Sequence, residues 1–150
     1  MHLTCSAFKN KDEIPSKYTC DGSNINPELF ISQVPSQAQS LVLIMDDPDV
    51  PPSVRADKMW NHWVVFNIPP QTSHIAENSM PPGVAGRNTE GELTYQGPCP
   101  PDREHRYFFK LYALDILLSL SQGASKKEVE AAMRGHILAE AELMGRYERK

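Results

Sequence analysis

The sequence predicts a mainly β domain that ends in one amphipathic helix. Three observations carry this reading. Leu41-Val42-Leu43-Ile44-Met45 is an unbroken apolar run with β-branched members, the pattern of a buried strand. Trp60, His62, Val64, Phe66 and Ile68 alternate along the chain, as do His105, Tyr107, Phe109 and Leu111, so each set is placed on one face of a strand. After Ser125 the period changes. Val129, Ala132, Met133, His136, Ile137, Met144 and Tyr147 recur at three- and four-residue steps, the spacing of a helix face.

Taken in order, Leu3 to Phe8 is a first strand and Asn10 to Pro15 a turn. Tyr18-Thr19-Cys20-Asp21-Gly22 ends in Asp-Gly, a strong turn signal. Asn24 to Pro27 is a second polar turn, and Glu28 to Ile31 a short strand. The apolar run from Leu41 stops at Asp46-Asp47-Pro48-Asp49-Val50-Pro51-Pro52. Three carboxylates and three prolines in seven residues cannot continue a central strand, because proline donates nothing to the ladder. The strand from Trp60 to Ile68 comes next. Pro69 to Asn88 reads as a loop, longer than the roughly 12–15 residues of ordinary connections. Glu92 to Tyr95 is a short strand and Gly97 to Pro101 a rigid proline loop. His105 to Leu114 is the longest strand. Ser125 and Glu128 form a capping box at the start of the helix, and Gly145 is its stop.

Composition sets bounds on function. The 150 residues suit one domain, 1–150, with a core of its own. A net charge of −4 argues against nucleic acid as a partner, which calls for a basic patch. No apolar run approaches the roughly 18 residues that span a bilayer. Met1 to Cys5 lacks the basic and apolar regions of a signal peptide, so cytoplasmic residence is expected. Cys5, Cys20 and Cys99 form no CxxC pair and no disulfide framework, and are read as buried thiols.

Two segments share a design: a proline-rich loop beside a strand that carries a histidine. Asp47 and Asp49 go with His62, and Pro100-Pro101 go with His105 and Tyr107. If the strands are neighbours, imidazole N–H groups and a tyrosine hydroxyl converge and can donate to an oxyanion. Asp47 cannot donate while ionised, but can fix the tautomer of a nearby histidine. Pro48, Pro51, Pro100 and Pro101 would stiffen the walls. The bland alternative for each residue is a turn aspartate or a core histidine. His2, His74 and His136 are read as structural.

DDPDVP, WNHWVVFNIP, GPCPP and HRYFFKLYALD, in that order, resemble the phosphatidylethanolamine-binding protein family, in its bacterial and archaeal Raf-kinase-inhibitor-like branch. The Tyr18–Gly22 turn, Asn26-Pro27-Glu28-Leu29 and Gly135 to Ala139 also match, so the similarity covers nearly the whole chain. The resemblance implies a β-sandwich with a large central antiparallel sheet and a C-terminal helix. It implies a pocket for phosphate or phosphorylated head groups, lined by Asp47, Trp60, His62, Pro100, Pro101, His105 and Tyr107. Asp49 and Arg106 would brace the loops as an ion pair, and Val50–Pro51 would be a cis bond. Two departures stand out. Asp57 replaces a tyrosine of eukaryotic members, which predicts a more acidic mouth, and Phe30 replaces a tryptophan. The resemblance also implies a homodimer.

These readings favour a small non-enzymatic protein without a cofactor that binds a phosphate-like anion and regulates a kinase or other phosphoprotein. A metal-dependent hydrolase or oxygenase built on His62, His105 and Asp47 is the alternative from another class. An interaction protein with a vestigial pocket is a third. Serine hydrolysis ranks lower still, with no GxSxG and no serine tied by sequence to a histidine, and a covalent role for Cys99 ranks below a structural thiol.

Overall fold

The apolar run and the two alternating segments form the centre of a five-stranded antiparallel sheet. The computed structural model describes residues 1–150. Its strands are β1 (His2–Cys5), β2 (Leu29–Ser32), β3 (Ser40–Asp47), β4 (Trp60–Ile68), β5 (His74–Ile75), β6 (Val84–Ala85), β7 (His105–Leu114) and β8 (Ile137–Tyr147), with one helix, α1 (Lys126–Met133). The large sheet has the order β6-β4-β3-β7-β8, and β1-β2-β5 form a smaller sheet. Every strand pair is antiparallel.

β3 is central and buried along its whole length. Its two faces serve two cores. Leu41, Leu43 and Met45 join Trp63, Val65, Tyr107, Phe109 and Leu111 against the smaller sheet. Val42 and Ile44 join Val64, Phe66, Val129 and Met133 beneath α1. The architecture is therefore a β-sandwich with a helix on the outer face of its larger sheet. Asp46 also points to the helix side. Its buried carboxylate accepts from Lys110 at 3.0 Å and Lys126 at 2.7 Å, which ties β3, β7 and α1 together.

The single-face alternation expected for β4 does not hold. Its register against β3 shifts between Met45 and Asp46, and again between Leu41 and Leu43. An inserted residue reverses the facing of the residues after it. Hence Trp60 and His62 line the pocket described below, while Val64 and Phe66 pack under the helix. Asn67, at the second irregularity, has φ 53°. Its amide accepts from Leu118 N at 2.8 Å and donates to Leu118 O at 2.9 Å, which pins the bend.

The C-terminus departs furthest from expectation. The helix begins as predicted, with a reciprocal capping box between Ser125 and Glu128, but it ends at Met133. Gly135, at φ +80°, occupies the left-handed position that terminates helices. Residues Ile137–Tyr147 then form β8, paired with β7 from His105 to Leu114. Ala139, Ala141, Leu143, Gly145 and Tyr147 also alternate, and this period wins because β7 offers a long unpaired edge. Leu143 and Tyr147 are buried as a result. Gly145 is no helix stop. It sits where a Cβ would lie 2.4 Å from Ile14 Cγ1, so the N-terminal arm can cross β8 only over a glycine.

Two smaller differences concern loops. The stretch from Pro69 to Asn88 contains β5 and β6, each two residues long. Glu92 to Tyr95 is not a strand. It wraps the sheet end, with the Tyr95 ring edge-on to Trp63 at 5.3 Å.

Leu43 is fully buried at the centre of the larger core. Leu43→Ala is expected to cost about 2–5 kcal/mol through lost burial and an unfilled cavity. Chemical denaturation measures this, and a cost under about half a kcal/mol would contradict the placement of β3.

Candidate functional site

β3, β4 and β7 end together at one rim of the sheet, and the loops that leave them enclose a cavity of about 300 Å³. Asp47, Trp60, His62, Pro100, Pro101, His105 and Tyr107 all line it. Val50, Val54, Glu90, Gln96, Gly97 and Cys99 complete the wall.

The acidic loop is shaped from within. Asp47 Oδ1 accepts from Asp49 N–H at 2.7 Å, a turn closed by an aspartate side chain. The Asp49 carboxylate accepts from Arg106 N and Nε at 2.9 Å each and from Nη2 at 2.8 Å. Arg106 donation therefore holds the Asp49 carboxyl below its ordinary range, against a smaller opposing effect of burial. This ion pair faces solvent and braces the two loops outside the cavity. The Val50–Pro51 peptide is trans, not the cis bond the resemblance implies; trans is the ordinary X–Pro isomer.

The second loop is clamped by the N-terminal turn. Gly97 N donates to Asn24 Oδ1 at 2.8 Å, and Cys20 N to Pro98 O at 3.1 Å. A Cβ on Gly97 would lie 2.2 Å from Tyr18 O, so only glycine permits this approach. Cys20 and Cys99 form a disulfide across this contact, and only Cys5 remains a free thiol. The expectation of three thiols is thereby corrected, and with it any covalent role for Cys99. Sequence spacing hid the pair because 79 residues separate the two cysteines and the fold alone brings them together.

The histidines take different environments. His105, wholly buried, has Nδ1 at 2.7 Å from Asp47 Oδ2 and Nε2 at 2.7 Å from Asp102 Oδ1. Asp47 thus partners His105 and not His62. Burial raises the Asp47 carboxyl above its usual range, outweighing the hydrogen bonds from His105 and Asp49. Asp102 escaped the sequence reading. The available signal was a carboxylate three residues before a strand histidine, directly after Pro101. His62 Nδ1 lies 2.6 Å from Gln96 O, so it carries the N–H and leaves Nε2 as an acceptor. Burial pushes the His62 pKa down to about 4. Tyr107 stands between them, its ring 5.3 Å from His62 and 6.4 Å from His105. Its buried hydroxyl makes no hydrogen bond of ordinary geometry, although the Asp47 carboxylate lies close enough to act on it. Burial, then the Asp47 charge and that contact, raise its pKa, so it remains a donor.

This geometry bears on the metal alternative. Both nitrogens of His105 face carboxylates, and the lone pairs a metal would need are not presented. No group of three or more His, Cys, Asp or Glu side chains is arranged around a common point for a metal. Trp60 donates to Gln96 Oε1 at 2.8 Å and forms a wall. Asp57 is directed away from the cavity, bonded to Arg55 and to Met59 N–H. The acid at the mouth is Glu90 instead.

The depressed His62 pKa has a consequence for stability. The unfolded histidine titrates near 6.5 and the folded one near 4. The unfolded chain therefore binds more protons between these values, and folding stability falls as pH drops through them. Between pH 7 and pH 4.5 the loss is about 2 kcal/mol from this residue. Urea unfolding at both values should show the loss in the wild type and its absence in His62→Gln. An unchanged acid slope in the variant would place the effect elsewhere.

Comparison with known proteins agrees with the fold. The family model described as phosphatidylethanolamine-binding protein matches residues 4–148. A UPF0098 protein of Chlamydia trachomatis is 53% identical over 149 residues, covering 99% of each chain. One from Methanothermobacter thermautotrophicus is 52% identical over 155 residues, with the same coverage. The crystal structure of a phosphatidylethanolamine-binding protein homolog, CT736 of Chlamydia trachomatis, superposes with a TM-score of 0.96 at 52% identity, covering 99% of this chain and 97% of that one. Escherichia coli YbcL superposes at 0.89 with 29% identity, covering 99% and 98%. Sheet order, loop pairing and full-length similarity lead to one conclusion: this chain belongs to the phosphatidylethanolamine-binding protein family.

Proposed function

We propose that the cavity is a binding site for a phosphoryl group and that the protein acts by binding, not by catalysis. The observation that carries this is the convergence of His62, His105 and Tyr107 on one cavity, with the Tyr107 hydroxyl in no hydrogen bond of ordinary geometry. Buried polar groups are nearly always paired, so an orphan facing a cavity is a place for a ligand atom. It also weighs against a vestigial pocket.

The remaining polar atoms narrow the ligand. Tyr107 donates, and His62 Nε2 accepts because its ring is neutral above about pH 4. A phosphoryl group that keeps one proton satisfies both, with an oxygen toward Tyr107 and its hydroxyl toward His62. Phosphate monoesters hold that proton up to a second pKa near 6. The family's name points to a phosphoryl in a lipid head group, a diester that offers acceptor oxygens to Tyr107 but no proton to His62. The aromatic wall of Trp60 and the carboxylate of Glu90 would suit an amine attached to the phosphoryl. A phosphorylated protein side chain, such as that of a kinase partner, would present the same group.

The direct test is an NMR titration of the histidine ring signals with inorganic phosphate and with O-phosphorylethanolamine. Saturable shifts confined to His62 and His105 are expected, and silent rings would remove the reading. Tyr107→Phe should weaken phosphate binding roughly tenfold, the effect of one hydrogen bond to a charged group. Its thermal stability should not fall, since the hydroxyl it lacks is unsatisfied in the free protein. Calorimetry showing undiminished binding would place the ligand elsewhere.

A further inference from the structure

His105 has two ring nitrogens, and in this structure the protein uses both. Asp47 takes Nδ1 from β3, at 2.7 Å, in a fully buried contact. Asp102 takes Nε2, also at 2.7 Å, from a different setting. It lies on the turn from Pro101 to Glu104, which is exposed at every position, and its side chain is 39% exposed. His105 itself is wholly buried, so no outside group reaches Nε2 while Asp102 is in place. The first carboxylate is a fixture of the sheet; the second sits on an exposed surface turn.

We propose that Asp102 sets the affinity of the pocket for anions by occupying the His105 Nε2–H until a ligand oxygen displaces it. This deepens the phosphoryl reading and rests on it. A carboxylate that displaced Asp102 could meet Nε2 and Tyr107 with its two oxygens but has no proton for His62 Nε2. A phosphoryl group carries three oxygens, so it can replace Asp102 at Nε2, accept from Tyr107 and donate to His62. Asp102 lowers the affinity of every anion by the same competition, and a weakly held carboxylate falls out of the binding range first. Burial is the largest single influence and would raise the Asp102 carboxyl, but the hydrogen bond from His105, the Arg103 N–H and the nearby positive charge together outweigh it and hold the carboxyl below its ordinary range. The internal competitor is thus ionised at neutral pH. Once displaced, its nearest cation is Arg103, whose Nε already lies 3.7 Å from its other oxygen.

The test is the histidine ring NMR titration, run at pH 7 on the wild type, Asp102→Asn and Asp102→Ala, with inorganic phosphate and with acetate. Phosphate should bind roughly tenfold more tightly to Asp102→Ala than to the wild type, the value of one charge-assisted hydrogen bond no longer opposed. Asp102→Asn should fall between them, because its amide oxygen can still accept from Nε2. Acetate should shift the His105 signals in the variants at concentrations that leave the wild type unmoved. Equal or weaker phosphate binding in both folded variants, with acetate still excluded, would overturn the role of Asp102 and leave the anion pocket standing. Silence of His62 and His105 toward phosphate in all three proteins would overturn the pocket itself. Loss of cooperative unfolding in both variants would show Asp102 to be a brace of the fold, and would overturn the proposal as well.

Discussion

The contact on which the site depends is the buried hydrogen bond between His105 and Asp47. It joins the ends of β7 and β3, at the point where both strands give way to proline loops. A carboxylate taken from water at this depth is costly unless it is paired. Asp47 meets that cost with His105 on one oxygen and the Asp49 N–H on the other. The second bond shapes the acidic loop, and the loop in turn presents Asp49 to Arg106. One pairing thus fixes the facing of His105, the path of the loop and the brace on its outer side. Tyr107, two residues along the same face of β7, lines the cavity with its hydroxyl in no hydrogen bond of ordinary geometry.

The opposite wall is held by different means. Gly97, Pro98 and Cys99 are gripped by the turn from Tyr18 to Asn24 through close backbone approach, two hydrogen bonds and the Cys20–Cys99 disulfide. A crosslink over so long a loop restricts the unfolded chain strongly. Disulfides persist in oxidising compartments and in thermophile interiors, which weighs against the cytoplasmic residence inferred from the N-terminus. No helix is long and apolar enough to cross a membrane.

Much of this was legible in the sequence, and the failures have physical causes. Leu41 to Met45 and His105 to Leu114 read correctly because their patterns depend only on local alternation and burial. Whether the residues at the ends of those strands meet is left open by such local patterns, and only the order of the motifs, through the family resemblance, points to it. β8 was misread because Val129 to Tyr147 satisfies a helix period and a strand period at once. Only the unpaired edge of β7, a property of the assembled sheet, decides between them. The facing of Val64 and Phe66 was misread because bulges leave no periodic trace. Asp102, the disulfide and the lining by Glu90 and Gln96 arise from loops, where contact depends on three-dimensional closure and spacing carries little information.

A crystal structure of the protein grown with O-phosphorylethanolamine at about pH 5.5, where the phosphoryl keeps one proton, tests the central claim most directly. The account predicts a phosphoryl group in the cavity, within hydrogen-bond distance of Tyr107 Oη and His62 Nε2, with the His105–Asp47 contact intact beneath it. An empty cavity at saturating ligand, or a phosphoryl group bound away from Tyr107, would contradict it.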